Sequence, residues 1–444
     1  MKSLLHFLRP AYLRRFREVA RQEGLRVALR KAARHLMLAR RGHSPSETAR
    51  ITGLQTGGRH ALTGFWTEIA RGEAFHVTAA PASLRRRRRI AVIGDLNLPQ
   101  CRKYRVEQLQ ELWRVGGAEL DYAHFQDIPR AISILQTATH LLLYRLRSSD
   151  LASMYLYEAR RLRLPVVYDI DDPLFSVPAY ETYGNMEAVD PGLKQHFVEE
   201  APGYMEVMNG CDAVSLSTPG LIEHARLFTP RPLFLRRNYA DRESLEAGAA
   251  ARSRSGAGTK EGGARPFTVV FASGSQGHEV DFRLLRDHMI AFLRARSDRR
   301  LLILGHFPQD TLPEDLEEQI RYEPFTTYTR YLQHLAAADC AVMPLADDLF
   351  NRCKSAVRVI DAASVGVASV VSDVGDLSAM VRHGRTGLVA GQGNSWRDLL
   401  EELALDRKRT AEIGIEARRD LEKRWSARLE APVMDTDFAR WVLG

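Results

Sequence analysis

The chain has 444 residues, a length that predicts two large domains or three ordinary ones. Hydrophobic residues make up 45% and charged residues 27%, so collagen, coiled coil and wholesale disorder are excluded as classes. The net charge of +8 is uneven, because residues 1–89 carry 20 Lys and Arg against 5 Asp and Glu. The remainder is mildly acidic, and no nucleic-acid partner is expected, since a nucleic acid needs a broad basic face.

The four cysteines indicate neither a zinc site nor a disulfide scaffold. Cys101, Cys211, Cys340 and Cys353 have no CxxC spacing and lie at least 13 residues apart. No apolar run approaches the ~18 residues of a membrane-spanning helix, and the first run, residues 4–8, is too short for a secretory signal. We expect a reduced, cytoplasmic protein.

Residues 1–84 are predicted to form a basic helical extension and linker. Within 1–42, arginines alternate with apolar residues at helical spacing. Such a helix can lie on an anionic membrane surface, where each Lys or Arg contributes about 1 kcal/mol. The alternative is a solvated arm that packs on the body or on a partner. The arginines at 85–89 precede a strand pattern, so a charged gatekeeper role is favoured over phosphate contact.

Short β-rich runs then alternate with longer helical stretches. This is typical of parallel sheets covered by helices. The predicted strands of a first domain, 85–240, are 90–94, 119–125, 140–144, 165–170, 213–217 and 232–235. A Gly, Ala and Ser stretch predicts a flexible linker over 241–265.

The same alternation restarts in a second domain, 266–425. Its predicted strands are 267–272, 300–305, 319–323, 340–345 and 368–372. Residues 426–444 are expected to form a C-terminal helix that returns to the first domain. The fold class is therefore α/β, with two Rossmann-like doubly wound domains facing a cleft, and ligands of such sheets bind at the carboxyl ends of the strands.

The segment 344–375 carries the most specific pattern. Asn351 can cap a helix that runs to Gly366, and at 100° per residue Lys354, Arg358 and Asp361 fall on one stripe of it. Lys354 and its neighbour Ser355 would lie in the first turn, where free N–H groups favour an anion. The alternative is a solvated face on which Arg358 and Asp361 pair, worth ~0.2–0.5 kcal/mol. The spacing alone does not separate the two.

The same segment, FNRCKSAVRVIDAASVGVASVVSDVG, together with RHGRTGLV at 382–389, resembles the donor-binding half of group 1, or family 4, glycosyltransferases of the two-Rossmann GT-B fold. The resemblance implies that Lys354, Ser355 and Arg358 hold the diphosphate of a nucleotide-sugar. It implies that Asp361 binds the ribose. Related enzymes carry a glutamate eight residues earlier, where this chain has Cys353, so contacts to the transferred sugar are expected to differ.

VVFASGSQGHEVDF at 269–282 resembles the first strand and Gly-rich loop of the same donor domain. By that resemblance Gly274 and Ser275 contact the donor phosphates. Many relatives have Arg and Lys in this loop, whereas this chain has Ser275, Gln276 and His278. We expect His278 and Arg358 to be the catalytic residues that stabilise the leaving group.

Four residues are expected on the acceptor side. Related enzymes carry a Tyr-Arg pair at the cleft edge, which falls on Tyr104 and Arg105, although packing between helix and strand is the alternative. Asp171 and Asp172 follow a buried strand and can position acceptor hydroxyls or cap a helix. With Asp169 they could also bind Mg²⁺ in the manner of the single-domain GT-A type. We expect no metal, because the basic helix supplies the charge.

The resemblance implies a glycosyltransferase of the hexosyltransferase type, retaining and metal-independent, that needs no cofactor. It would move a sugar from a nucleoside diphosphate sugar to a glycan or lipid-linked acceptor, in synthesis of cell-surface polysaccharide or glycolipid. With the basic extension, this predicts a peripheral protein at the inner face of the membrane. The alternative is a non-catalytic nucleotide-sugar-binding or membrane-recruited protein with a degenerate site, and an epimerase or phosphorylase is a weaker third.

Overall fold

The computed structural model describes residues 87–255, 265–274, 278–391 and 393–444, and ten positions between residues 16 and 33. The chain divides into two compact units, one holding residues 1–76 with 149–154 and the other holding the rest. The ten described positions of the N-terminal extension are all helical. The rest of the prediction for 1–84 lies outside the described residues.

The first sheet has six parallel strands in the order β2-β1-β3-β4-β5-β6. Its strands are β1 Arg89–Gly94, β2 Glu119–His124, β3 His140–Tyr144, β4 Val166–Ile170, β5 Ala213–Leu216 and β6 Leu233–Leu235. Strands β3 and β4 are buried at every position, as expected when helices cover both faces of a parallel sheet. The order changes direction between β1 and β3, which places a crevice at their carboxyl ends.

Most helices of this half begin at a capping residue or a proline. They are α1 Pro99–Arg102, α2 Gln108–Val115, α3 Ile128–Thr137, α4 Asp150–Arg161, α5 Val177–Thr182, α6 Pro191–Gly210 and α7 Pro219–Ala225. A π-helical segment, Lys103–Glu107, joins α1 to α2, and a 3₁₀ turn, Gly184–Ala188, follows α5. Both irregular segments contribute residues to the site described below.

The second sheet has the order β12-β11-β10-β7-β8-β9, again with all strands parallel. Its strands are β7 Phe267–Gly274, β8 Arg299–Gly305, β9 Ile320–Glu323, β10 Cys340–Met343, β11 Ala368–Ser372 and β12 Leu388–Ala390. Read from β9, this is the Rossmann order, with its switch point between β7 and β10. The predicted fold class is confirmed.

Helices cover both faces of the second sheet and bury one apolar cluster on each. They are α8 Arg242–Ser255, α9 His278–Arg294, α10 Tyr328–Ala336, α11 Leu349–Cys353, α12 Val357–Ser364, α13 Gly375–Met380, α14 Trp396–Leu405 and α15 Arg407–Arg424. Two 3₁₀ turns, Gln309–Thr311 and Glu314–Gln319, lie between β8 and β9.

The expected flexible linker over 241–265 is wrong in its first half, because Arg242–Ser255 is a helix. Alanine is the best helix former, and it outweighs a single glycine in this stretch. Gly248 has a packing role in this helix. A Cβ at this position would lie 2.3 Å from the carbonyl oxygen of Ser364, so only glycine allows α8 to pack this closely on the second domain. Residues 256–264 lie outside the described residues.

The last helix, α16 Thr436–Leu443, packs into the core of the first domain. The Phe438 ring lies edge-on to Trp113 at a centroid distance of 5.7 Å and stacks on Phe234 at 5.2 Å. The segment before the helix also pairs with the first domain, through a bridge between Met434 and Arg236. The C-terminus thus belongs to the first domain in space.

The arginines before β1 have structural partners. Arg87 and Arg89 both form ion pairs with Glu119 on β2, at 2.8 and 2.9 Å, and Arg88 donates to the carbonyl of Leu443. These contacts support the gatekeeper interpretation. No helix within the described part of the chain is long and apolar enough to cross a membrane.

Candidate donor site between the two domains

The predicted donor residues gather at the switch point of the second sheet. Strand β7 ends at Gly274, whose φ of +70° is in the left-handed region, and Gly305 ends β8 with a φ of +99°. A Cβ on Gly305 would lie 2.6 Å from the carbonyl oxygen of Gly274, so this close approach of two chains requires glycine. Ser275 lies outside the described residues.

The helix expected from Asn351 to Gly366 is two helices, α11 and α12. Asp348 caps the first by accepting from the Asn351 amide, and Lys354 then adopts an extended conformation with a ψ of 147°. Tertiary contacts explain the break, because the Thr218 hydroxyl from the first domain donates to the carbonyl of Cys353 at 2.8 Å. That carbonyl is held by a side chain outside its helix, which the sequence pattern does not reveal.

Lys354 therefore lies before the helix rather than in its first turn. Its ammonium donates to the Tyr183 hydroxyl and lies 4.6 Å from the centre of the Tyr183 ring. Burial lowers the pKa of Lys354, against the opposing effect of Asp281 and Asp172. Ser355 accepts from Asn238 at 2.9 Å, so both residues contact the first domain.

Arg358 is the half-buried cation of this cluster. Within the described part of the chain, no residue forms a hydrogen bond or ion pair with its guanidinium. It is close enough to His278 and Lys354 that its charge lowers the pKa of both. The pairing of Arg358 with Asp361 that an exposed helix face would produce is not formed.

His278 begins α9 and its Nδ1 lies 3.0 Å from Asp281 Oδ2. Burial, followed by the charge of Arg358, lowers the pKa of His278 to about 3. His278 is accordingly neutral at physiological pH and adds no positive charge to the cluster, and its role in stabilising the leaving group stays a prediction. Asp281 is fully buried and also accepts from Asn185 of the first domain at 2.9 Å.

Asp361 faces phenols instead of the cations. Its Oδ1 accepts from Tyr104 of the first domain at 2.5 Å and from Tyr328 at 2.8 Å. Burial raises the pKa of Asp361 to about 6, even though these hydrogen bonds and Lys103 oppose the shift. The side chain that the resemblance assigns to ribose is therefore closed over by Tyr104 in this structure.

Tyr104 reaches the cleft, but the expectation that Arg105 lies at its edge is wrong. Arg105 is fully buried and binds Asp169 through two hydrogen bonds of 2.9 and 2.7 Å. Arg236 is equally buried and contacts the same carboxylate at 2.9 Å. Burial, with the charge of Arg105, lowers the pKa of Arg236 to about 10. Arg105 thus stabilises the first domain.

Asp171 and Asp172 lie at the carboxyl end of β4, facing the cleft. Asp171 lies 3.5 Å from Arg145 Nη1 and accepts from the Tyr144 hydroxyl at 3.3 Å, whereas Asp172 lies 3.9 Å from Arg145. Burial, and then the charge of Asp171, raises the pKa of Asp172. Since Asp169 is bound to two arginines, the three aspartates form no metal triad. Over the described ranges, no group of His, Cys, Asp and Glu is arranged to hold a metal.

The sequence did not identify three residues that complete the site. Tyr183 precedes a short 3₁₀ turn and Asn185 lies within it. The turn has no periodic signal in the sequence, and only the tertiary fold brings Tyr183 to Lys354 and Asn185 to Asp281. Asp281 could have been found, because it follows His278 by three residues on one helix face.

The cleft is filled by contacts between the domains. Four predicted donor residues or their immediate partners each hydrogen-bond to the first domain, namely Lys354, Ser355, Asp361 and Asp281. Two surface depressions of the second domain, of about 370 and 490 Å³, are lined by other residues, such as Asp373 and Asn394. In this structure the side chains predicted to bind the donor are therefore close together and covered by the first domain.

Comparison with known proteins gives a family match in the second domain and a similar fold over most of the chain. Residues 266–405 match the family described as Glycosyl transferases group 1, and no curated protein matches the chain. A sucrose-phosphate synthase from Thermosynechococcus elongatus is similar with a TM-score of 0.52 and 14% identity, covering 80% of this chain and 98% of that chain. HepE from Anabaena in complex with UDP-glucose gives a TM-score of 0.48 and 14% identity, covering 80% of this chain and 98% of that chain.

The sequence resemblance is confirmed by the family match in the second domain and by the fold in both. The match covers β7 to α14, the region that holds Gly274, His278, Lys354, Arg358 and Asp361. The chain therefore has the GT-B fold, and its residues 266–405 match the group 1 glycosyltransferase family.

Proposed function

We propose that the protein transfers a sugar from a nucleoside diphosphate sugar to an acceptor hydroxyl, with the donor bound by the second domain and the acceptor by the first. The observation that carries the proposal is Arg358, a half-buried guanidinium with no hydrogen-bond or ion-pair partner within the described chain. It stands beside the buried Lys354 ammonium at the switch point of a Rossmann sheet. Two neighbouring cations that are partly shielded from water favour an anion between them.

A diphosphate satisfies the chemistry of this cluster. Its oxygens can accept from Arg358, from Lys354 and from free amides at the start of the 17-residue helix α9. As the glycosidic bond breaks, negative charge develops on the leaving phosphate, and donors already in place stabilise it without reorganisation. The two cations supply this charge, so we propose that the reaction needs neither a metal nor a cofactor.

The ribose and the acceptor are assigned by position. If the domains separate, Tyr104 leaves Asp361, and the freed carboxylate can accept from ribose hydroxyls. On the other side of the cleft, Asp171 and Asp172 carry carboxylates that can orient an acceptor hydroxyl. Domain closure then excludes water and protects the donor from hydrolysis.

The test is donor-dependent release of nucleoside diphosphate by the full chain, using the nucleotide-sugar that gives the largest thermal shift in a screen. Arg358→Ala and Lys354→Ala should each lower kcat/KM by about 10- to 100-fold, the loss expected for one charge-assisted hydrogen bond. The matched control is Arg330→Ala, because Arg330 is exposed on α10 and its side chain donates to Gln333 on the same helix. Equal rates in all four proteins would remove the proposed site.

A second candidate is a nucleotide-sugar-binding protein without turnover. The specific observation in its favour is Cys353, which takes the place of a family glutamate and whose thiol donates to the Gly220 carbonyl of the first domain at 3.8 Å. Calorimetric binding of a nucleotide-sugar with no release of nucleoside diphosphate, in the presence of candidate acceptors, would establish this alternative.

We also propose retention of the anomeric configuration and a glycan or lipid-linked acceptor used in surface polysaccharide or glycolipid synthesis, both supported by the family. Peripheral binding at the inner face of the membrane rests on the basic composition of residues 1–42. Sedimentation with anionic liposomes, with and without residues 1–42, tests the last point. Binding that is unaffected by the deletion would contradict it.

A further inference from the structure

The buried Asp281 and the partly exposed His278 form a pair whose side chains the proposed diphosphate site does not use. Asp281 lies in the first turn of α9 and is fully buried. Its Oδ2 lies 3.0 Å from His278 Nδ1 and accepts from Asn185 Nδ2 at 2.9 Å, while its Oδ1 is buried with no partner in the described structure. This arrangement fixes the imidazole on one side.

The pairing determines which nitrogen of His278 carries the proton. An ionised carboxylate only accepts hydrogen bonds, so Nδ1 must be the donor. The hydrogen bonds from His278 and Asn185 and the charge of Lys354 lower the pKa of Asp281, so the carboxylate is ionised at neutral pH. A neutral imidazole has a single N–H, and therefore Nε2 presents a lone pair.

A lone pair at Nε2 cannot donate to a phosphate oxygen. The nearby charges of Arg358 and Lys354 oppose a second proton on the ring, and Asp281 is the facing group that favours one. Within the described chain no residue hydrogen-bonds to Nε2, and the side chain is 20% exposed. The group that suits this nitrogen is a neutral donor such as a hydroxyl.

We propose that His278 Nε2 accepts a hydrogen bond from a sugar hydroxyl, of the donor sugar or of the acceptor, and that Asp281 is the positioning residue that holds His278 in the required tautomer. The inference rests on the proposed function, because that reaction brings sugar hydroxyls to this point. Asn185 belongs to the first domain, so closure of the domains completes the pair.

The tautomer is measured directly, without activity. In full-length protein labelled with ¹⁵N-histidine, the His278 signals are those absent from the spectrum of His278→Gln. At about pH 7 we expect a neutral ring with Nδ1 protonated and Nε2 unprotonated. Asp281→Asn should give a mixture of tautomers, whereas Asp287→Asn, an exposed control on the same helix, should not. A ring protonated at Nε2 in the wild type overturns the proposal.

Calorimetry with UDP and UDP-glucose as probes then identifies the hydroxyl. If it belongs to the donor sugar, His278→Ala should weaken UDP-glucose about 10-fold and leave UDP within about 2-fold. If it belongs to the acceptor, both affinities are retained and only the transfer rate falls. An equal loss for UDP and UDP-glucose would place the histidine on the phosphates and overturn the proposal.

The two failures are distinguishable. Should the protein bind neither probe nor any other nucleotide-sugar, the proposed function fails, and the inferred contact with a sugar hydroxyl fails with it. The ¹⁵N spectra would still report the tautomer of His278. Should nucleotide-sugars bind and turn over while Nε2 carries the proton, the proposed function stands and this inference fails.

Discussion

Replacing Asp361 with Asn should change how the stability of the protein depends on pH. Burial raises the pKa of this carboxyl from its usual 3.8 to about 6. The folded protein therefore holds a proton that the unfolded chain has released. The stability contributed by this group is fully present below pH 3.8 and is lost as the pH rises through about 6.

The magnitude follows from the width of that window. Between about pH 5 and about pH 7.5 the folded protein releases the proton of Asp361. The contribution of this group to the free energy of unfolding then falls by about 1.4 kcal/mol, the equivalent of about one pKa unit. The neighbouring phenols do not titrate there, because burial raises the pKa of Tyr104 and of Tyr328. The free energy of unfolding of Asp361→Asn, relative to wild type, should thus rise by about 1.4 kcal/mol over the same interval.

The assay is urea unfolding followed by tryptophan fluorescence at several pH values in that range. Titration of other groups cancels in the difference between the two proteins. Asp287→Asn is the control, since its side chain is 87% exposed and its stability should track that of wild type. If the difference between Asp361→Asn and wild type stays constant with pH, the carboxyl is not a buried acid and the reasoning is refuted.

Three further changes test the packing. Phe438→Ala should lower the free energy of unfolding by about 3–5 kcal/mol and lower the melting temperature, because the ring is buried in the core of the first domain. The control, Leu405→Ala, changes a residue that is 78% exposed and should leave the melting temperature unchanged. Gly305→Ala should destabilise more than Gly384→Ala in denaturant unfolding, since both have a positive φ but only the first Cβ meets backbone; equal losses would mean that the close approach is not rigid. Arg105→Met should lower the free energy of unfolding by about 3–5 kcal/mol, because Arg105 forms a bidentate pair with Asp169. Arg236→Met should lower it by less. A larger loss for Arg236→Met in the same unfolding assay would contradict this prediction.

The two sheets could be predicted from the sequence because each strand is a short apolar run between helical stretches. The exception, Leu388–Ala390, has three residues and is flanked by glycines, so it carries too little periodicity to be recognised as a strand. The helix Arg242–Ser255 was predicted as a flexible linker because its glycine and serines are typical of linkers, whereas its alanines favour a helix.

The site was predicted in composition but not in geometry. Helical spacing placed Lys354, Arg358 and Asp361 on one stripe, whereas the Thr218 contact breaks the helix and the Tyr104 contact turns Asp361 away from the cations. Both partners come from the other domain, more than 100 residues distant in the chain. A local sequence pattern cannot predict contacts between residues this far apart, so they are known only from the folded structure.

The return of the C-terminus gives the molecule a paired hinge. The chain passes from the first domain to the second near Ala240 and comes back near Trp425, and these crossings are joined where the Ala240 amide donates to the Trp425 carbonyl at 2.8 Å. A single tether would leave one domain free to twist on the other. Two adjacent connections resist twisting and permit rotation about the line that joins them, so any separation of the domains is expected to be a rotation about this single axis.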